Sequence, residues 1–438
     1  MQMPDSTPPT RKFDLVRIFP VILLVLFVSQ FVLWNCAVIT DLDYWVTKRT
    51  QLISDIKDHN LDFAKINRAT HPGTFPLIVS LPFSSLGFSA KYSIKTACIL
   101  LDTLLSVGIV YAAYFAKRNN LWWLAIIFFF AVNDYTLYTN PSDIITAKLI
   151  SLSLILLLIF FQLKKNTHWI VVLAIGIALG LAASSRIHPV IILLPFVIMA
   201  FAFLDPKKIP LLLLSFGISM FVTNPYLWDS PIHFLTISFF RGSDLLLEKS
   251  HDGMSLSFFQ ELSLGKLIAE APLSFLAYVF LFINLFVTKK HQILPRLYIF
   301  IIIMFSSLFS FLLLRSPANT LRYFYPALIP LQIMLPILIF QLFNFAANTK
   351  IIQNTRISSK KYLYIEILIT IFATIVIFFS SNDTILKISL DISKVMITIS
   401  FLHVLHILSK NYFLAWPKKA TCHPKLQLLP QIQRKKTI

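Results

Sequence analysis

Charged residues are scarce in this chain and acidic ones scarcer still. Only 13% of the 438 residues are charged, and 20 acidic residues face 39 basic ones. A typical soluble domain carries about 25% charged residues, so a water-surrounded globule is excluded. Cysteine is nearly absent: Cys36, Cys98 and Cys422 lie far apart with no metal-type spacing, which excludes a disulfide framework and a zinc site. The sequence also holds no P-loop and no dinucleotide fingerprint, so no nucleotide-sugar site is expected. No small-x-small cleavage site follows the apolar run from Ile18 to Ile39, which is too long for the core of a signal peptide. That run is expected to stay as the first membrane span.

What the chain has in abundance is apolar surface, with 57% hydrophobic residues and a mean hydropathy of +0.74. The expected fold class is an all-α polytopic membrane protein. A hydrocarbon core about 30 Å thick needs about 20 apolar residues per helix. Counting on that basis gives about twelve transmembrane helices, at 15–40, 93–116, 121–138, 143–163, 168–185, 188–204, 208–223, 271–288, 296–314, 322–345, 362–380 and 387–409. The formal charge of +19 reads as topology, because many Lys and Arg residues occupy short links between apolar runs. No nucleic-acid signature accompanies it.

Placing Arg11, Lys12 and Arg17 in the cytoplasm puts Lys117-Arg118, Lys164-Lys165, Lys207-Lys208, Lys289-Lys290, the Lys350–Lys361 link and the tail after Lys410 there as well. Every short basic link then obeys the positive-inside rule. This parity requires the proline-bearing stretch 73–88 not to cross, so it is expected to be a re-entrant or interfacial helix. The outer face then receives a helical first loop at 41–92, a second large loop at 224–270, and the short links 139–142, 186–189, 315–321 and 381–386. Both termini are expected in the cytoplasm.

The candidate chemistry gathers on those outer loops. Asp41 and Asp43 sit where the chain leaves the bilayer, and a carboxylate there can act as general base on an acceptor hydroxyl. The stretch 45–66 that follows reads as an amphipathic surface helix, with Trp45, Leu52, Ile53, Ile56 and Phe63 on its apolar side. His71-Pro72-Gly73 joins an imidazole to a rigid turn, or is simply the turn before an interfacial helix. Asp143, after Asn140-Pro141-Ser142, reads as the cap of the fourth span or as a second site carboxylate. Arg186 and His188 lie between two spans. An arginine at membrane depth needs an anion, and a phosphate is a suitable one; a snorkelling anchor is the other reading. Arg322-Tyr323-Phe324-Tyr325-Pro326 suits a phosphate clamp or an aromatic belt. Asn224-Pro225-Tyr226-Leu227-Trp228-Asp229 opens the second large loop, which also carries Arg241, Asp244, His251 and Asp252.

Asp41-x-Asp43-Tyr44-Trp45, a helical stretch, and then His71-Pro72-Gly73 resemble the first outer loop of bacterial relatives of the protein O-mannosyltransferases and aminoarabinose transferases. These are polytopic C-superfamily (GT-C) glycosyltransferases of family 39. Gly180-Leu181-Ala182 running to Arg186, the Asn224–Trp228 element and Arg322–Pro326 fit the same pattern, so the resemblance covers residues 15 to about 345. It implies an inverting transferase that takes a sugar from a polyprenyl-phosphate donor, with Asp41 matching the family's base. The family shows Asp-Glu where this chain has Asp41-Leu42-Asp43, which leaves Asp43 as the second candidate. It further implies a lipid or protein acceptor on the periplasmic face of a bacterial inner membrane, and no cofactor or metal is assigned.

On this reading residues 1–345 form the transferase module, 346–409 add C-terminal helices, and 410–438 are a basic cytoplasmic tail. His71, Asp143, Arg186, His188, Asn224, Arg241, Arg322 and Tyr323 are the expected substrate-binding residues. An O-antigen-type polymerase or ligase, or a multi-span transporter or flippase, shares the topology. The transporter would keep its ionisable residues at mid-membrane in matched halves, whereas here they collect at helix mouths.

Overall fold

A computed structural model of the chain describes residues 42–59, 73–116, 140–162, 169–246, 271–286, 295–315 and 323–332, with single residues between 23 and 34, at 264–265 and at 334. The described part is helical. In chain order the helices are α1 (Leu42–Lys57), α2 (Thr74–Ser85), α3 (Ala90–Ala116), α4 (Pro141–Gln162), α5 (Trp169–Ser185), α6 (Ile187–Leu204), α7 (Ile209–Thr223, preceded by a 3-10 turn at Pro206–Lys208), the single turn α8 (Tyr226–Asp229), α9 (Pro231–Leu246), α10 (Pro272–Phe286) and α11 (Arg296–Arg315). A last described helix, α12, covers 323–332.

Among the described residues, five stretches are long and apolar enough to cross a membrane: Ala90–Ala112, Pro141–Phe161, Ile187–Leu204, Pro206–Thr223 and Arg296–Leu314. Each coincides with an expected span. Helix α5 is 17 residues long and equally apolar, and α10 is 15. The expected spans at 121–138, 362–380 and 387–409, and more than half of those at 15–40 and 322–345, lie outside the described residues. So do the C-terminal helices and the tail.

Helix α2 explains why the 73–88 stretch interrupts the count. At 12 residues it is about 18 Å long, well short of a bilayer core. Gly73 precedes it in the left-handed region (φ 59) and Gly87 follows it with φ 86, conformations that favour glycine. Helix α1 spans 42–57 of the amphipathic stretch expected at 45–66, and residues 60–66 lie outside the described residues. Trp45 and Leu52 are on its buried side, as expected, but so are Lys48 and Arg49.

The tightest packing joins α5 to α7. A Cβ built on Gly176 would fall 2.6 Å from the Leu212 carbonyl oxygen, and one on Gly180 only 2.4 Å from that of Phe216. Membrane helices lack a hydrophobic force between them, so close backbone approach through small residues supplies the contact. Serine hydroxyls on both helices fold back on carbonyls of their own helix, as Ser215 does to Leu212 (3.0 Å) on α7 and Ser185 to Leu181 (3.1 Å) on α5.

A charged pair lies inside the apolar bundle. Asp102 of α3 forms an ion pair with Lys148 of α4, and both are buried. The Trp34 indole donates to Asp102 Oδ2 at 2.9 Å, tying the first span to α3, and Lys148 donates to Ser106 Oγ at 3.1 Å. Sequence reasoning did not single out either residue, although each is an ionisable group within an apolar run, which is the usual sign of a paired charge.

Two outcomes follow for thermal unfolding of the purified protein in detergent. Gly180→Ala is expected to force α5 from α7 at a cost of about 1–3 kcal/mol. Gly108→Ala, whose Cβ would meet only the flexible end of Leu152 at 3.7 Å, should be neutral or stabilising. Asp102→Asn alone should cost about 3–5 kcal/mol by leaving a buried ammonium without its carboxylate, and adding Lys148→Met should recover most of that loss.

Candidate active site at the helix mouths

The site is assembled where α5 breaks into α6. The break is one residue long: α5 ends at Ser185, Arg186 takes an extended conformation (φ −157, ψ 117), and α6 begins at Ile187. The sequence expectation of a four-residue link therefore contracts to a single residue. Pro189 is accommodated in the first turn of α6, where a missing N–H costs nothing. His188 is buried in that same turn.

Arg186 is buried, only 4% exposed, and its guanidinium donates from Nη1 to Asp143 Oδ1 in a buried ion pair. Its planar face covers the Tyr323 ring at 4.3 Å from the centroid. These three residues, expected separately from sequence, are in direct contact. The anchor reading of Arg186 fails, because a snorkelling side chain would be exposed. Its anion is supplied by the protein itself. Asp143 is not the helix cap either: Asn140 takes that role, its Oδ1 accepting from the Ser142 N–H at 3.0 Å and from the Ser142 hydroxyl at 2.8 Å. The Asp143 carboxylate in the first turn of α4 is left to face Arg186, and the positive end of the helix dipole favours its charge.

Three more element ends meet beside Arg186. The Gly73 N–H donates to the Ser185 carbonyl at 3.1 Å, and the Thr74 hydroxyl donates to the Ser184 carbonyl at 3.0 Å, so the start of α2 is pinned to the end of α5. The Thr223 hydroxyl, at the end of α7, donates to Ser184 Oγ at 2.8 Å. Asn224 follows immediately and is wholly buried, with no hydrogen-bond partner for its side-chain amide among the described residues. The Arg186 Nε–H is likewise without an acceptor there. Buried polar atoms are normally paired, so two unsatisfied groups at one mouth mark where a polar ligand would complete the structure.

Asp43 lies in the first turn of α1 and is exposed, its main-chain carbonyl accepting from the Thr47 hydroxyl at 2.9 Å. Arg241 belongs to α9, but its side chain is outside the described ones, and Asp41, His71 and Arg322 lie outside the described residues altogether. Among the described residues no group of three or more His, Cys, Asp or Glu could hold a metal. On the other side of α2, Arg49 of α1 donates from Nε to Ser80 Oγ at 3.0 Å and from Nη2 to Ser84 Oγ. Burial lowers its pKa, although an arginine keeps its proton at neutral pH regardless.

The chain matches no protein-family model and no curated protein sequence. Its fold is similar to that of ArnT. ArnT from Cupriavidus metallidurans bound to undecaprenyl phosphate aligns over 91% of this chain and 72% of its own length, with 15% identity and a TM-score of 0.50. The same protein in the apo state aligns over 89% and 76%, with 14% identity and a TM-score of 0.49. At these identities the likeness concerns the fold. It does not test the expected membership of family 39.

Asp143→Asn is expected to cost about 3–5 kcal/mol, because the Arg186 guanidinium would stay buried without its carboxylate. The paired change Asp143→Asn/Arg186→Gln should restore most of the melting temperature. A single substitution that melts like wild type would show the pair to be energetically idle.

Proposed function

We propose that this protein is an inner-membrane glycosyltransferase that moves a sugar from a polyprenyl-phosphate-linked donor to a lipid or protein acceptor at the outer face. The observation that carries the reading is the buried cluster of Asp143, Arg186 and Tyr323 at the mouths of α4, α6 and α12, in a chain with an ArnT-like fold. The bound lipid of that neighbour, undecaprenyl phosphate, is the kind of leaving group this reading requires.

Each residue has a part. Asp143 and the Tyr323 ring hold the Arg186 guanidinium in one orientation, so its remaining N–H groups are positioned before substrate arrives. Arg186 and Arg322 then donate to the carrier phosphate as negative charge develops on it, a stabilisation that needs no reorganisation at the moment of reaction. Asp41, or Asp43 in its place, takes the proton from the acceptor hydroxyl as that oxygen attacks the anomeric carbon and the bond to phosphate breaks, which inverts the configuration. His71, two residues before the Gly73–Ser185 contact, orients the donor by hydrogen bonding. His188 supports the wall of the pocket, and the Asn224 amide meets a sugar hydroxyl. The 224–270 segment, with Arg241, covers the pocket. Residues 1–345 suffice for this chemistry on the proposed division of the chain.

The test is incubation of the purified protein with a panel of radiolabelled polyprenyl-phosphate sugars. Transfer or hydrolysis of one of them is expected, reduced by about 10²-fold or more when the base is removed in Asp41→Asn. Unchanged turnover in both Asp41→Asn and Asp43→Asn would sink the proposed base.

A further inference from the structure

Arg49 is 5% exposed, yet its described partners are two serine hydroxyls and no carboxylate. Those hydroxyls cannot neutralise it. The Ser80 hydroxyl donates to the Leu77 carbonyl at 2.5 Å. Ser93 donates to the Phe88 carbonyl at 3.3 Å, which leaves Ser84 as the donor in its 3.1 Å contact with Ser93. The serines thus accept from the guanidinium and pass their own protons to one another and to the backbone. Arg49 keeps a full charge and the N–H groups beyond the two already spent.

A buried cation without a counter-ion is costly wherever it lies near a membrane. Elsewhere among the described residues the chain supplies the anion, as Asp102 does for Lys148 and Asp143 for Arg186. Here the neighbourhood offers a different solution. Between Ser84 at the end of α2 and Ser93 in the first turn of α3, the chain carries Leu86, Phe88 and Tyr92, all strongly exposed, with Leu86 at 74%. A guanidinium held by serines beside an exposed apolar rim matches the two ends of a phospholipid, since the fork of N–H groups suits phosphate oxygens and the rim suits acyl chain. Lys48, stacked over the Tyr44 ring at 4.5 Å and the Trp45 ring at 5.3 Å, adds positive potential next to it. The site is distinct from the helix mouth. Ser80 and Ser84 lie six and ten residues past the Thr74 contact with Ser184, or about 9 and 15 Å along α2.

We infer that Arg49, cradled by Ser80 and Ser84, binds the phosphate of an anionic bilayer phospholipid, fastening α1 and the α2 turn to the membrane surface. Such a site anchors the first outer loop independently of any reaction at the mouth. The exposed apolar rim of Leu86, Phe88 and Tyr92 beside the guanidinium favours a bilayer lipid over free phosphate.

The full chain, purified in neutral detergent, is titrated with phosphatidylglycerol and bound lipid is counted by native mass spectrometry. Phosphatidylglycerol should bind wild type and weaken at least about tenfold, about 1.4 kcal/mol, in Arg49→Gln. It should bind Asp143→Asn/Arg186→Gln as it binds wild type. Undiminished binding to Arg49→Gln overturns the proposal, as does equal loss in the paired mouth variant, which would place the lipid at the proposed carrier site. Inorganic phosphate and undecaprenyl phosphate are run as separate arms. Protection of the site by inorganic phosphate with no binding of phosphatidylglycerol rejects a lipid source, and binding of undecaprenyl phosphate alone rejects a bilayer lipid. Should Arg49→Gln fail to fold, wild type decides: phosphatidylglycerol must raise its melting temperature and phosphatidylcholine of the same chains must not.

Discussion

A full charge buried in an apolar bundle must find an opposite charge, and this requirement organises the molecule. At the helix mouths it brings Arg186 to Asp143 across α4 and the α5–α6 break. Deeper in the bundle it brings Lys148 to Asp102 across α3 and α4, with Trp34 and Ser106 completing the hydrogen bonds. Asp143 and Lys148 sit on the same helix, five residues apart. Helix α4 is therefore held by two ion pairs facing different neighbours, and a vertical slip of α4 would break both.

Close backbone contact does the rest of the positioning. Gly176 and Gly180 let α7 lie against α5, and the same seam ends in the Ser184, Thr223 and Thr74 hydroxyls that gather three helix termini beside Arg186. Packing in the membrane and assembly of the site are thus one arrangement. Among the described residues, the buried Asn224 amide and Arg186 Nε are left without hydrogen-bond partners beside that seam.

Much of the architecture was legible in the residues. Apolar runs of about 20 residues located α3, α4, α6, α7 and α11, because hydrocarbon thickness leaves little freedom of length. The expectation that 73–88 does not cross agrees with a 12-residue α2 bounded by left-handed glycines. The position of Asp143, Arg186 and Tyr323 at helix ends was legible too, since each is a polar or aromatic group at the edge of an apolar run. Their roles were not. A carboxylate after Asn-Pro-Ser looks like a cap until the structure shows Asn140 in that place, and nothing local to Arg186 signals that a carboxylate 43 residues away pairs with it.

Composition and hydropathy by themselves determined that the chain is a polytopic helical membrane protein and which of its segments are apolar enough to cross, because burial in lipid constrains each helix locally. Tertiary structure alone decided which charges meet. Pairing depends on rotation and depth of helices distant in sequence, so Asp102 with Lys148, Asp143 with Arg186 and, among the described residues, Arg49 with only serines are outcomes no local pattern encodes.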